Sequence, residues 1–132
     1  SGGRTYGQND ECPLLDEIEA ILSSAHTHFL FIDDARLFAS PPPRPHRIEQ
    51  WPTIDQVIGA LKSAGHSYYI VIIEDVIIAV PEYARALVAG YCQEANTRAW
   101  QELGGAQGGG AKGNVLQRIV QKLGALADGA LQ

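Results

Sequence analysis

The chain has 132 residues, 45% of them hydrophobic, and a net charge of −5. That is enough for one domain with a modest core, too apolar for wholesale disorder, and too acidic for non-specific binding to nucleic acid, which needs a basic face. Cys12 and Cys92 form neither a C-x-x-C nor a zinc-ligand spacing, so a reducing, cytoplasmic setting is expected, a single disulfide between them being the alternative.

Residues 1–9 are glycine-rich and polar and read as loop. No basic region leads into an apolar one, so no signal peptide is expected. The chain contains no Met at all and starts on Ser1, so the expectation is a piece of a longer protein or a chain from which a tag was removed. In "DECPLLDEIEAILSS", Leu14, Leu15, Ile18, Ile21 and Leu22 recur at helical spacing. Pro13 suits a first turn, and Asp10, Glu11, Asp16 and Glu17 suit the positive end of a helix, so a helix is expected from about 13 to 24. Cys12 precedes that N-terminus, where a thiol pKa can fall, but without a His, Asn or Asp arrangement it reads as a packing residue.

Residues 28–32, "HFLFI", show no polar alternation and predict a strand buried on both faces. Five of the seven prolines lie between residues 41 and 52. They forbid regular helix and predict an extended loop of polyproline character, long enough to serve as a lid. Thr53 and Gln56 fit a capping box for the next helix, with Ile54, Val57, Ile58 and Leu61 on its apolar face and Gly65 as its C-cap. "SYYIVII" and "VIIAV" flank Glu74-Asp75 and predict an antiparallel hairpin over 68–80, although Glu-Asp is a poor fit to a type I′ turn. This apolar stretch is too short and too charged to span a bilayer.

A long helix is expected from Pro81 to Leu103, with Ala84, Leu87, Val88, Tyr91 and Ala95 on one side. The composition of 104–113 marks a flexible linker, and 114–132 is an amphipathic helical tail with Asn114 as N-cap. This gives three parts: an α/β domain over 1–103, a linker over 104–113, and the tail. Only three strands are present. The hairpin can cover one edge of strand 28–32, and the other edge is left without a partner, so the rest of a sheet is expected outside these residues. The free sheet edge and the tail helix are the surfaces through which copies of the chain would associate.

The chemistry lies in "FLFIDDARLF". The strand runs straight into Asp33 and Asp34, and adjacent carboxylates repel unless a cation or a donor compensates them. The carboxyl end of a strand in an open α/β sheet is where ligands bind, and two such acids can share a hard, oxygen-seeking cation. The alternative is a solvated turn, with Asp34 capping and Arg36 pairing locally. A receiver-domain reading, with Asp75 as phosphate acceptor, fails because no strand-helix pair intervenes and no late lysine is present. His26, His28, His46 and His66 make no ligand pattern and read as surface or loop residues. The glycine-rich run 104–113 lacks G-K-[ST] and cradles no nucleotide phosphate.

Five segments in order resemble the second half of class I S-adenosylmethionine-dependent methyltransferases: "SGGRTYG", "DECPLLDEIEAI", "HFLFIDDARLF", "WPTIDQVIGAL" and "YYIVIIEDVIIAV". The nearest branch is that of macrocin-type sugar O-methyltransferases and their uncharacterised bacterial relatives. The resemblance covers about residues 1–80. It implies a partial Rossmann-like sheet, with 28–32 as fifth strand and the hairpin 68–80 as sixth and seventh, followed by a C-terminal helical extension. It also implies S-adenosylmethionine as cofactor, Mg²⁺ held by Asp33 and Asp34, and Arg36 as a substrate contact. The acceptor would be a hydroxyl of a sugar or another small molecule, with neither nucleic acid nor membrane as partner. The glycine-rich cofactor loop, the acid that would hold the cofactor ribose and the fourth-strand acid do not occur here, so these residues alone are expected to be inactive. Two other readings remain: a catalytically degenerate methyltransferase-like interaction module, and a metal-dependent hydrolase on a related scaffold.

Overall fold

A computed structural model describes residues 10–63, 65, 67–105 and 114–130. The segment 1–9, His66 and most of the expected linker, 106–113, lie outside the described residues. Among the described residues the architecture is mixed α/β, with one three-stranded antiparallel sheet and five α-helices. The chain divides into two units, one ending at Pro81 and the other beginning at Glu82.

In the first unit, α1 (Leu14–Leu22) starts immediately after Pro13, whose carbonyl accepts the Glu17 N–H at 3.1 Å. Ile18 and Leu22 on its inner face are buried. β1 (Leu30–Asp33) is followed by a four-residue helix α2 (Arg36–Ala39), too short to leave a periodic signal in the sequence. The proline-rich segment contains one 3-10 turn, Ile48–Gln50, and a cis bond before Pro45. α3 (Ile54–Leu61) begins with the expected capping box. The Thr53 hydroxyl accepts the Gln56 N–H at 3.4 Å, while the Gln56 side chain accepts the Thr53 N–H at 2.9 Å. Two of the helix's orphan donors are thereby satisfied. Gly65 is not the C-cap. The helix ends at Leu61, and Gly65 takes its left-handed φ of 77° in the turn toward the hairpin.

β2 (Tyr68–Ile73) and β3 (Val76–Pro81) form the hairpin, and both turn residues, Glu74 and Asp75, have positive φ of 49° and 66°. That sign at both central positions is the mark of a type I′ turn, which matches the right-handed strand twist despite the unusual residue types. β3 occupies the centre, in the order β1-β3-β2, and is antiparallel to both neighbours. Ile77 and Ala79 join a core built by Ile18 and Leu22 of α1, Phe38 of α2 and Val57 and Leu61 of α3, with Leu30, Ile32 and Ile70 packed against it.

The expectation that strand 28–32 is buried on both faces is corrected. β1 runs from Leu30 to Asp33, Phe31 is 39% exposed, and Leu30 and Ile32 are only partly buried. An unbroken apolar run reports side-chain type, not the number of neighbouring strands. β1 lies at an edge of the described sheet, paired with β3 alone.

In the second unit a 3-10 turn, Glu82–Ala84, leads into α4 (Arg85–Gly105), which packs against α5 (Asn114–Ala130). Val88, Cys92, Ile119 and Leu123 are buried. Arg118 spans the pair, with its guanidinium 3.7 Å from the Glu94 carboxylate and 5.3 Å from the Tyr91 ring centre. The second unit begins at Glu82, ahead of α4. Glycine content marks where patterning stops, whereas the unit follows packing, and α4 continues through Gly104 and Gly105.

Candidate functional site

The register of β1 on β3 sets Asp33 opposite Val76. The next residues along the chain from one strand and back along the chain from the other, Asp34 and Asp75, are thereby brought together at the same end of the sheet. Asp34 has a left-handed φ of 57°, and its N–H is accepted by Asp33 Oδ1 at 2.9 Å. Asp75 binds the turn that follows: its carbonyl accepts Ala35 N–H and its Oδ1 accepts Arg36 N–H, both at 2.9 Å. The Arg36 guanidinium meets Asp75 Oδ2 and also lies 3.2 Å from Asp34 Oδ1. The structure therefore brings Asp33, Asp34 and Arg36 together and adds Asp75. Arg36, expected as a substrate contact, has its guanidinium on these two carboxylates.

Carboxylate oxygens are the donor type that Mg²⁺ takes, but one Asp34 oxygen already meets the Arg36 guanidinium. Asp33 is exposed, and its Oδ1 accepts the Asp34 N–H. Among the described residues no group of three or more His, Cys, Asp or Glu side chains is placed to hold a metal. Further protein ligands, where needed, must come from outside these residues.

A second cluster was not legible as one. Glu11 lies just before α1, and its Oε2 accepts the Arg47 N–H at 2.8 Å and the Trp51 indole N–H at 2.9 Å. Its own N–H is accepted by the Gln50 side chain at 2.8 Å. Trp51 is further packed by Phe38, at 5.5 Å between ring centres, and edge-on by His46 at 4.9 Å. These donors, led by the Arg47 N–H and then the indole, hold the Glu11 carboxyl below its ordinary pKa. The proline-rich loop is thus strapped to the start of α1. Between them lies an open cleft of about 490 Å³ lined by Cys12, Leu15, Glu49, Gln50, Trp51 and Gln56, among others.

The remaining candidates fall away. Cys12 and Cys92 are not joined in a disulfide. Burial pushes the Cys12 thiol up, opposite to the fall that a helix N-terminus can produce, because loss of water outweighs the neighbouring backbone donor. His46 packs on Trp51 with its Nδ1 3.9 Å from Glu11. No described helix is long and apolar enough to cross a membrane. Sequence reasoning missed Asp75 and Glu11 as organising residues. The available signal was the unfavourable Glu-Asp pair at a turn that prefers Asn-Gly, since a residue breaking a local rule is often kept for another purpose.

Compared with known proteins, the chain matches no family model, no curated protein and no solved structure.

Proposed function

We propose that the chain is the C-terminal part of an S-adenosylmethionine-dependent O-methyltransferase that transfers a methyl group to a hydroxyl of a sugar or small molecule with the help of a divalent metal. The observation that carries this reading is the acid pair at the carboxyl end of β1, with the closing antiparallel hairpin bonded beside it. In the finer fold reading, β1 is the fifth strand and β2 and β3 the last two of a Rossmann-like sheet whose other strands lie outside these residues. Asp33 and Asp34 would hold Mg²⁺, which when bound supplies charge neutralisation and orientation of a hydroxyl oxygen. S-adenosylmethionine has no matching site: among the described residues no glycine-rich loop follows a strand. No step through the cofactor is therefore derived.

The second reading is a catalytically degenerate interaction module on the same scaffold. The observation that favours it is the Arg36 guanidinium, which already answers Asp34 and Asp75 from within the chain. Calorimetric titration of Mg²⁺ and of S-adenosylmethionine into the intact protein separates the two, with Asp33→Asn/Asp34→Asn measured beside the wild type. The methyltransferase reading expects both ligands to bind the wild type and Mg²⁺ binding to be lost in the double variant. Failure of both ligands to bind the wild type leaves the acids as a turn and favours the module.

A further inference from the structure

The cleft between the start of α1 and the proline-rich loop has a volume of about 490 Å³, within the range of small-molecule sites. Two carboxamides on its wall are fixed by local structure. Gln50 Oε1 accepts the Glu11 N–H at 2.8 Å, and Gln56 Oε1 accepts the Thr53 N–H at 2.9 Å. With both oxygens taken, each side chain has its NH₂ group left to offer, and that group only donates. Beside them stands the exposed Glu49 carboxylate, which only accepts. Leu15, Trp51 and Pro52 add apolar surface to the same walls. The Glu11 bonds to Arg47, Gln50 and Trp51 hold the two walls together without help from a ligand.

This lining sorts ligands by chemistry. Asp10, Asp16 and Glu49 put three carboxylates on the walls, and no Lys, Arg or His is among the described lining residues, so phosphate esters and carboxylates are repelled. An amine or a guanidinium suits the carboxylates but turns its positive charge toward two fixed N–H donors. A hydroxyl matches both, because it accepts from an NH₂ group and donates to a carboxylate at once. We propose that the cleft binds a neutral polyhydroxylated ligand the size of a small sugar. The NH₂ groups of Gln50 and Gln56 donate to its hydroxyl oxygens, Glu49 accepts from a hydroxyl, and Trp51, Pro52 and Leu15 cover its C–H surface. The inference deepens the methyl-transfer reading by giving the acceptor a place, and it rests on that reading only for the fate of the bound hydroxyl.

The test is titration of the methyl glycosides of glucose, galactose, mannose, rhamnose and xylose into the intact protein without cofactor or metal. Binding is read from Trp51 emission in a Trp100→Phe background, with putrescine as the cationic comparator. At least one glycoside is expected to saturate the signal. Gln56→Glu keeps a carboxyl oxygen for the capping box of α3, in which Glu serves as well as Gln, but it removes the NH₂ donor and adds a negative charge. It is expected to weaken glycoside binding about tenfold, the scale of one lost hydrogen bond, at an unchanged urea midpoint. Glu49→Ala, at an exposed position, is expected to weaken it several-fold and decides the matter if Gln56→Glu lowers that midpoint. A cation site answers with the opposite sign: putrescine that binds in place of the glycosides, and more tightly in Gln56→Glu, overturns the proposal. So does a panel in which no glycoside saturates the signal at tens of millimolar, or a glycoside that a folded variant binds as the wild type does. Mg²⁺ and S-adenosylmethionine binding without glycoside binding sinks this inference and spares the methyl-transfer reading, whereas glycoside binding without cofactor binding does the reverse.

Discussion

Two carboxylates organise the first unit, and they do it differently. Asp75 reaches across 39 residues to Arg36, and Glu11 across 40 to Trp51. The Asp75 carboxylate answers one backbone N–H and a guanidinium, while its backbone carbonyl takes a second N–H; the Glu11 carboxylate answers a backbone N–H and an indole N–H, both neutral. A carboxylate held mainly by neutral donors stays ionised to lower pH and depends less on salt, with His46 and Arg47 adding a smaller attraction at Glu11. One that shares a cation with a second acid on the surface depends on screening. The contrast separates a strap that holds a loop from a clamp that leaves a charge available for redistribution.

The largest expected effect removes the floor beneath both. Leu61 is fully buried in the core against which Trp51 and Ile32 pack. Leu61→Ala is expected to cost about 2–5 kcal/mol, seen as a lower midpoint in urea denaturation, and to loosen loop and turn together.

Next, Glu11→Leu should separate the two regions. Trypsin cleavage after Arg47 is expected to accelerate markedly, with a much smaller rise in hydrogen exchange at Ala35 and Arg36, because the two regions touch only through Trp51 packing on Phe38 among the contacts described. The same strap gives a pH signature. With its pKa held below the ordinary 4.5, folded Glu11 binds a proton less readily than unfolded Glu11. Its contribution is therefore complete above that ordinary value and is lost as pH falls through the lowered one. Trp51 emission, read in a Trp100→Phe background, should change in that acid range, and the change should vanish in Glu11→Leu.

Salt should sharpen the contrast from the other side. At about 1 M salt, where the screening length is roughly 3 Å, the guanidinium bonds should weaken. Amide exchange at Ala35 and Arg36 should rise modestly, while cleavage after Arg47 is unchanged. The smallest effect is expected in the second unit. Trp100 and Leu103 are 76% and 80% exposed, so Trp100→Ala should change the unfolding free energy from urea denaturation by no more than about 0.5 kcal/mol in either direction.

The elements that the sequence disclosed are those set by local rules. The Thr53–Gln56 capping box, the apolar stripe of α1 and the two-residue hairpin turn each depend on residues within a few positions of one another, and each was found where patterning placed it. What escaped depends on distance. The exposure of Phe31 follows from what packs on that face of β1, which "HFLFI" does not encode. The acid pair was visible, but its partner Asp75 joins it only through the β1–β3 register. Glu11 looked like a charge at a helix start, since its acceptors' donors arrive from a loop whose path prolines constrain without specifying. α2 was missed because four residues complete only one turn.

The left-handed backbone at Asp75 places two demands on one residue. A non-glycine residue there carries strain of about 1–2 kcal/mol, and glycine at its φ of 66° would relieve it. Asp75→Gly should therefore relieve the hairpin turn while cutting the side-chain bonds to Arg36. The Ala35 N–H bond to the carbonyl of residue 75 would remain as a backbone tie between the two turns.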